Sequence, residues 1–329
     1  MISKTNTKRM ARDEWLAERR KSIGGSEIGA IMGLNQYQSA VSVWANKLGI
    51  VPDAEPNEAM IQGTDLEEYV AERFTRLTGK KVRRRNYIMR NDEFPHMHAN
   101  IDRLVVGEDA GLECKTASAL SVSKFKGGEF PASYYAQCVA YMAVTELPIW
   151  YLAVVVLGKE FRVFKMVRDG QASEMPDWCE SVTVVDNAEF DAIKSAAVDF
   201  WRHVENESIP EIDGSKATSD TLAAMYSGDD PLDIDPLELG DMRDKICSLR
   251  DLKDEKSRIE ENIRLFENEI KARMKLAETA YCDDVKITWK SQERTTFDYE
   301  RFAKDHPSLD LSKYIKTSKN RVFRIKEDN

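Results

Sequence analysis

Three charged residues stand inside an otherwise apolar stretch, NIDRLVVGEDAGLECKTAS, running from Asn100 to Ser118: Asp102, Glu113 and Lys115. Two short apolar runs, joined by the turn residues Gly107 to Ala110, read as neighbouring strands. Residues i and i+2 of a strand project from one face, so Glu113 and Lys115 converge while Cys114 faces away, and Asp102 arrives from the strand before. Ionised carboxylates on adjacent strands repel, and burying either without a partner costs on the order of several kcal/mol. A divalent cation removes that conflict. Oxygens from Asp102, Glu113 and the Cys114 carbonyl suit Mg²⁺ or Mn²⁺, which keep waters and complete their shell with phosphate oxygens. Lys115 then adds positive charge where a water attacks phosphorus.

An acidic residue two places before a lysine is cheap, because the chain contains the pattern five times: ECK, DLK, DEK, EIK and DVK. The matches at Asp251, Asp254 and Glu269 fall on a charged helical stretch, where i and i+2 point to different faces. Asp284 and Lys286 share a strand face, but no neighbouring strand brings them a second carboxylate. Placed at 100° intervals, Met60, Gly63, Glu67, Val70, Phe74 and Leu77 lie on one arc, so Glu67 interrupts an apolar helix face and is a candidate third acid for the metal or its water. Gly63, one turn earlier, is expected to admit another backbone. In PASYYAQCVAYMAV, Gln137 and Tyr141 are four apart on one helix face, Gln137 able to orient a water or phosphate oxygen and Tyr141 to stack or bond beneath it. RRKSIGGSE places Arg19, Arg20 and Lys21 ahead of Ser26, read as the N-cap of a helix; arginine, a hydroxyl and free N–H groups there make a phosphate site. No GxxxxGK[ST] occurs, so nothing supports ATP-driven translocation.

The elements that must position these groups follow from period and punctuation. Trp15 to Met32 reads as helix, turn, helix; Asn57 to Leu77 as a helix stopped by Gly79; Lys81 to Arg90, Ala99 to Val106 and Gly111 to Thr116 as strands; Ala132 to Val144 as a helix. Trp150 to Leu157 and Glu160 to Arg168 pair around Gly158, and Ala188 to Glu205 closes the unit as a helix. This order predicts an α/β or α+β core over residues 1–206. Residues 207–236 read as an acidic linker or surface crossing, with ten negative charges from Glu205 to Glu238 against Lys216 alone. Residues 237–329 read as an accessory region. There Met242, Leu249, Leu252, Ile259, Ile263, Phe266, Ile270 and Ala277 fall near heptad spacing with Lys256 in the seam, which predicts a long coiled-coil-like helix or helical hairpin before strand-like DVKITWK and RVFRIK.

Composition narrows the classes. With 42% hydrophobic and 32% charged residues and no apolar run near 20 residues, a membrane span is not expected. The N-terminus has no apolar run behind its positive charge, so an intracellular protein is expected. Five scattered cysteines with no CxxC argue against structural zinc and iron–sulfur sets. The net charge of −9 conceals local asymmetry, since Lys80 to Arg90 carries six positive charges and no negative one.

Taken together, Asp102, Glu113-Cys114-Lys115, Gln137-x-x-x-Tyr141 and the preceding Gly63-Thr64-x-x-Glu67 resemble the PD-(D/E)xK nuclease superfamily, and within it the YqaJ-type viral recombinases related to bacteriophage lambda exonuclease. The resemblance covers about residues 12–170; the usual Pro-Asp is Ile101-Asp102 here. It implies a restriction-endonuclease-like core with a central mixed sheet flanked by helices, and a cytoplasmic DNA exonuclease of a bacterium or phage-infected host. Such an enzyme resects the 5′-strand of linear duplex DNA and leaves 3′ overhangs for a single-strand annealing partner. Carried over, Asp102, Glu113 and the Cys114 carbonyl bind metal, one of two Mg²⁺ or Mn²⁺ ions, and Glu67 serves the second ion or its water. Lys115 assists the nucleophile, Gln137 positions the site, and Arg19 and Ser26, with Arg20 and Tyr141 beside them, meet the terminal phosphate and DNA. The resemblance also implies a homo-oligomer, a trimer. A structure- or site-specific endonuclease on the same fold, and a non-catalytic DNA-end-binding scaffold, remain the alternative readings.

Overall fold

The computed structural model describes residues 1–52, 56–171, 174–228, 240–306, 309 and 312–315, and the chain divides into two compact units, Met1–Ser227 and Gly228–Asn329. The first unit begins β1 (Ile2–Asn6), α1 (Arg12–Arg20), β2 (Ile23–Gly24), α2 (Gly25–Ile31), α3 (Ala40–Lys47) and α4 (Glu58–Thr78). Strands β3 (Val82–Arg84), β4 (Tyr87–Asn91), β5 (Phe94–Asn100), β6 (Arg103–Val105) and β7 (Ala110–Ala117) follow, then a 3-10 stretch over Ala119–Gly128. The unit ends with α5 (Ala132–Thr145), β8 (Ile149–Val156), β9 (Glu160–Arg168), β10 (Ser181–Val185), α6 (Asn187–Glu205) and α7 (Lys216–Met225).

Two sheets sit on either side of α5. One has the order β1-β4-β5-β2 and the other β10-β9-β8-β7-β6-β3, the latter mixed, with β7 parallel to β8 and β9 parallel to β10. Helix α5 is buried from Ala136 to Thr145, because it packs on both sheets and on α2. A helix apolar on all sides is stable only in such a place. Strand β8 is covered on both faces: Trp150, Leu152, Val154 and Val156 meet the α5 core, while Tyr151, Ala153 and Val155 join Val70 and Phe74 of α4. Helix α4 is held at its ends by Asn57, whose side chain accepts from the Met60 N–H, and by Gly79 in the left-handed conformation with φ of 73°. The mixed α/β architecture expected from the pattern is the one observed.

Several differences have physical causes. The apolar arc of α4 is buried only at Val70, Ala71 and Phe74; Met60 and Leu77 are exposed, and a Cβ on Gly63 would meet nothing within 4 Å, so Gly63 serves no close approach. The stretch Lys81 to Arg90 is two strands in different sheets, with β3 pairing β6 and β4 pairing β1 and β5. Likewise Ala99 to Val106 is broken: the chain leaves one sheet at Asn100 and enters the other at Arg103, and Asp102 lies at the crossing. The first unit runs past residue 206 to Ser227, because α7, capped by Ser215, packs on α3 and buries Thr218 and Thr221.

In the second unit α8 (Arg243–Met274) is one helix of 32 residues, about 48 Å long at 1.5 Å per residue. It stops at Met274, short of Ala277. The hairpin β11 (Thr279–Cys282) and β12 (Val285–Thr288) and the helix α9 (Tyr299–Asp305) follow. RVFRIK and Pro231 to Leu239 lie outside the described residues. Leu252, Ile259, Ile263, Phe266 and Ile270 of α8 are exposed. No described helix is long and apolar enough to cross a membrane.

Candidate active site

Strand β7 turns Glu113 and Lys115 toward α5 and Leu112 and Cys114 toward α4, as alternation requires. Glu113 is 4% exposed. Its Oε1 accepts from Lys115 Nζ at 2.7 Å and from Gln137 Nε2 at 2.7 Å, while its Oε2 is buried with no hydrogen-bond partner. Lys115 Nζ also donates to Gln137 Oε1 at 2.9 Å and lies 5.1 Å from the centre of the Tyr134 ring. Asp102, at the crossing between the sheets, accepts from the Cys114 N–H through Oδ2 at 2.8 Å. Asp102, Glu113, Lys115 and Gln137 are therefore brought together.

Burial, then the Glu113 and Glu67 charges, push the Asp102 carboxyl well above the usual carboxylate range, against the Cys114 N–H and Lys115. For Lys115, burial works to remove the proton, but the charge and hydrogen bond of Glu113, with Asp102, outweigh it and hold the ammonium above the ordinary lysine range. Lys115 is thus held as a cation beside Glu113. Burial also pushes the Cys114 thiol up, so it is no thiolate nucleophile.

Glu67 is placed differently from the sequence expectation. Its carboxylate pairs with Arg103 Nη1, and Arg84 Nη2 is 3.7 Å away. Arg103, 2% exposed, also donates to the Asp102 carbonyl at 2.8 Å and to Glu68 Oε2 at 3.1 Å. Glu67 is thus paired with a guanidinium while its charge still reaches Asp102, and among the described residues no three His, Cys, Asp or Glu side chains gather closely enough to hold a metal ion. The donor set is then two carboxylates and a backbone carbonyl. That set, with an orphaned buried oxygen on Glu113 and excess negative charge at Asp102, fits Mg²⁺, which is commonly bound through one or two carboxylates and completes its shell with water and substrate phosphates.

Tyr141 is 4% exposed. Its hydroxyl accepts from Gln137 Nε2 at 3.0 Å, and its ring packs on Trp150 and over Gly25. It supports Gln137 from within. The remaining acidic-x-lysine strand pair, Asp284 and Lys286, lies on the exposed β11–β12 hairpin.

The Arg19 and Ser26 region is built from α1, β2 and α2. The N-cap of α2 is Gly24, not Ser26; Glu27 accepts from the Gly24 N–H at 2.6 Å and so occupies a donor that the sequence left free for phosphate. Arg19 Nη2 lies 3.5 Å from Ser26 Oγ, and the Arg19 guanidinium covers the Trp15 ring at 4.7 Å. Arg20 is half-buried in the same turn. Beneath them, Lys47 pairs with Glu27 at 2.7 Å and donates to the Arg19 carbonyl at 3.0 Å.

Sequence reasoning passes over Arg103, Lys47 and His98. Arg103 directly follows Asp102 and is a charge inside an apolar run; Lys47 gains its setting from residues 20 or more positions away, and His98 bonds to Ser22, 76 positions away. His98 is 1% exposed, and burial, then Arg19, Lys47 and Arg90, hold its pKa well below the ordinary value. Below about pH 6.5 the unfolded chain takes up this proton while the folded one does not, so the unfolded state binds more protons and stability rises with pH. The contribution is complete above that value and is lost as pH falls toward the depressed folded pKa. The fall in melting temperature between pH 7.5 and pH 5 is therefore expected to be smaller in His98→Gln than in the native chain; equal falls would show that His98 does not control it.

Comparison with known proteins adds the family. Residues 14–148 match the model of the YqaJ-like viral recombinase domain, a span that contains every candidate from Arg19 to Tyr141. The uncharacterized protein YqaJ of Bacillus subtilis (strain 168) is 34% identical over 322 residues, covering 97% of this chain and 95% of its own. Among solved structures, an alkaline exonuclease from Laribacter hongkongensis is similar with a TM-score of 0.46 at 20% identity, over 59% of this chain and 93% of that one. A phage-related exonuclease from Haemophilus somnus 129PT is similar with a TM-score of 0.40 at 13% identity, over 56% and 96%.

Proposed function

The chain belongs to the YqaJ-like viral recombinase family, and from that premise we propose that it is a metal-dependent DNA exonuclease of phage-type recombination. The observation that carries the reading is the convergence of Asp102 on the Cys114 N–H with the unpartnered Glu113 Oε2 and the Lys115 ammonium, all within the matched segment. In this reading it resects the 5′-strand of linear duplex DNA and leaves a 3′ overhang for a single-strand annealing protein.

Asp102, Glu113 and the Cys114 carbonyl would hold the cation, and Glu67 would serve a second ion or its water. Bound Mg²⁺ or Mn²⁺ supplies Lewis-acid polarisation of the phosphoryl oxygen and acidifies water. Gln137 fixes both partners of the Glu113–Lys115 pair, so neither side chain can swing away as substrate enters. Lys115, kept protonated by its neighbours, stabilises negative charge gathering on the phosphoryl oxygens. Tyr141 holds Gln137 in register, and the Arg19 and Ser26 pair receives the 5′-terminal phosphate, with Arg20 beside it.

Digestion of linear against closed circular duplex in Mg²⁺ tests this function. Degradation of the linear form alone, faster from a 5′-phosphate than from a 5′-hydroxyl, is expected. Cutting of the circle would favour the endonuclease reading instead. Self-association through α8 accompanies the proposal, since its apolar seam is exposed and carries Lys256 at a core position. Sedimentation should give an oligomer, a trimer in this reading, for the full chain and a smaller species for a chain ending at Ser227; identical states would remove α8 from assembly.

A further inference from the structure

The pairing of β2 with β5 sets Gly24 opposite His98, directly beneath the Arg19 and Ser26 pair. His98 Nδ1 lies 2.9 Å from Ser22 Oγ, and Ser22 is itself 2% exposed. That hydroxyl oxygen already accepts from Arg90 Nε at 3.3 Å, and Arg90 is anchored by Glu18 Oε1 at 2.9 Å and the Glu18 carbonyl at 3.1 Å. With an N–H directed at its oxygen, the Ser22 hydroxyl is free to turn its own proton to Nδ1, one of the two roles open to this pair and the one the inference takes. A neutral ring that accepts at Nδ1 carries its proton on Nε2.

His98 Nε2 is buried and has no hydrogen-bond partner. A donor in that position is rarely left unmade, because its desolvation is not returned. Its direction is given by Gly24: a Cβ built there would lie 3.2 Å from His98 Nε2 and 3.2 Å from Arg19 Nη2. The imidazole donor and the guanidinium therefore flank the same face of Gly24, and Arg19 Nη2 continues to the exposed Ser26 hydroxyl. Glu27 Oε2, 3.4 Å from the same point, is balanced by Lys47 and by the Gly24 N–H.

We propose that His98 is a further ligand of the terminal phosphate, its Nε2–H donating to a phosphate oxygen that Arg19 and Ser26 hold from the other side. The proposal rests on the terminal-phosphate reading above and adds to it a determinant of end specificity. It also explains why a chain would keep an unpaired imidazole donor next to arginine: the missing acceptor is the substrate.

The test compares kcat/KM on 5′-phosphorylated and 5′-hydroxyl linear duplexes in Mg²⁺ for the native chain, His98→Gln, which keeps a donor near Nε2, and His98→Asn, which keeps only the Ser22 side. The phosphate-to-hydroxyl ratio is expected to fall about tenfold in His98→Asn and to stay within about threefold of native in His98→Gln, the size expected for one hydrogen bond to a charged group. A histidine that only supports the fold would lower both rates alike and leave the ratio unchanged, which overturns the proposal. A native chain that degrades linear DNA without distinguishing the ends overturns it too, and leaves the nuclease reading standing; no degradation at all removes both. A second readout is independent of the folding of any variant. In the native chain labelled with ¹⁵N-histidine, four rings are observed, and a 5′-phosphorylated duplex bound in Ca²⁺ is expected to move the Nε2 proton of His98 downfield. No movement, or the same movement with a hydroxyl end, contradicts the assignment.

Discussion

Asparagine in place of Asp102 is expected to abolish Mg²⁺-dependent DNA degradation and, in the absence of metal, to raise the melting temperature. Both follow from one circumstance. The Asp102 carboxyl is pressed by burial and by the Glu113 and Glu67 charges, and a neutral amide relieves that pressure while its oxygen still accepts from the Cys114 N–H. The same amide is a poor ligand for a hard cation, and metal assistance is worth on the order of several kcal/mol, or about a hundredfold and upward in rate. The native chain should also gain stability as Mg²⁺ is added, because an ion that binds only the folded state stabilises it by mass action. Asp102→Asn should show little of that gain. Melting curves with and without Mg²⁺, beside rates on linear duplex, measure all of it. A variant that is less stable without metal, or that responds to Mg²⁺ like the native chain, would show that Asp102 is an ordinary buried acid.

Alanine at Gly25 is expected to damage stability and activity together. Gly25 is the first residue of α2, and a Cβ there would meet the Tyr141 ring closer than real carbon contacts allow. That ring cannot move aside cheaply, since it is buried on α5 and packed on Trp150 at 5.3 Å between centroids. Overpacking of this kind costs about 1–3 kcal/mol, or about 2–4 °C in melting temperature for each kcal/mol in a unit of this size. The displacement would pass from Tyr141 to Gln137, which bridges Glu113 and Lys115. The loss of rate should therefore exceed what unfolding accounts for. Tyr141→Leu in the same chain makes room for the added methyl and should recover much of the stability but not the support of Gln137. A Gly25→Ala chain with native melting temperature and rate would mean that α2 and α5 adjust without cost.

How much of this was readable beforehand depends on whether the signal is local. Helix α4 is visible from its span between Asn57 and the Gly79 stop, α6 from the apolar spacing of Phe190, Ile193, Ala197 and Phe200, and β8 from an apolar run long enough for a doubly covered strand. Glu113 and Lys115 were legible because strand alternation is fixed by chain geometry. The structure brings Asp102 beside them from a crossing between two sheets, a position with no local mark. Strands β1 and β10 and helix α3 were not read, being short or weakly periodic stretches held by tertiary contacts. The capture of Glu67 by Arg103, the cap at Gly24 in place of Ser26, and the chain from Glu18 through Arg90 and Ser22 to His98 all join residues separated in sequence or choose between adjacent donors. Pattern alone assigns them no geometry.

The central claim is that Asp102, Glu113 and Lys115 form a metal-dependent nuclease centre. It is tested most directly by incubating linear duplex, end-labelled on either strand, with the chain in Mg²⁺ or in EDTA, beside Lys115→Ala of matched melting temperature. Loss of the 5′-ended strand in Mg²⁺ with the native chain, and its persistence in EDTA and with Lys115→Ala, is the expected result. Degradation that survives EDTA, or that Lys115→Ala carries out at the native rate, would contradict it.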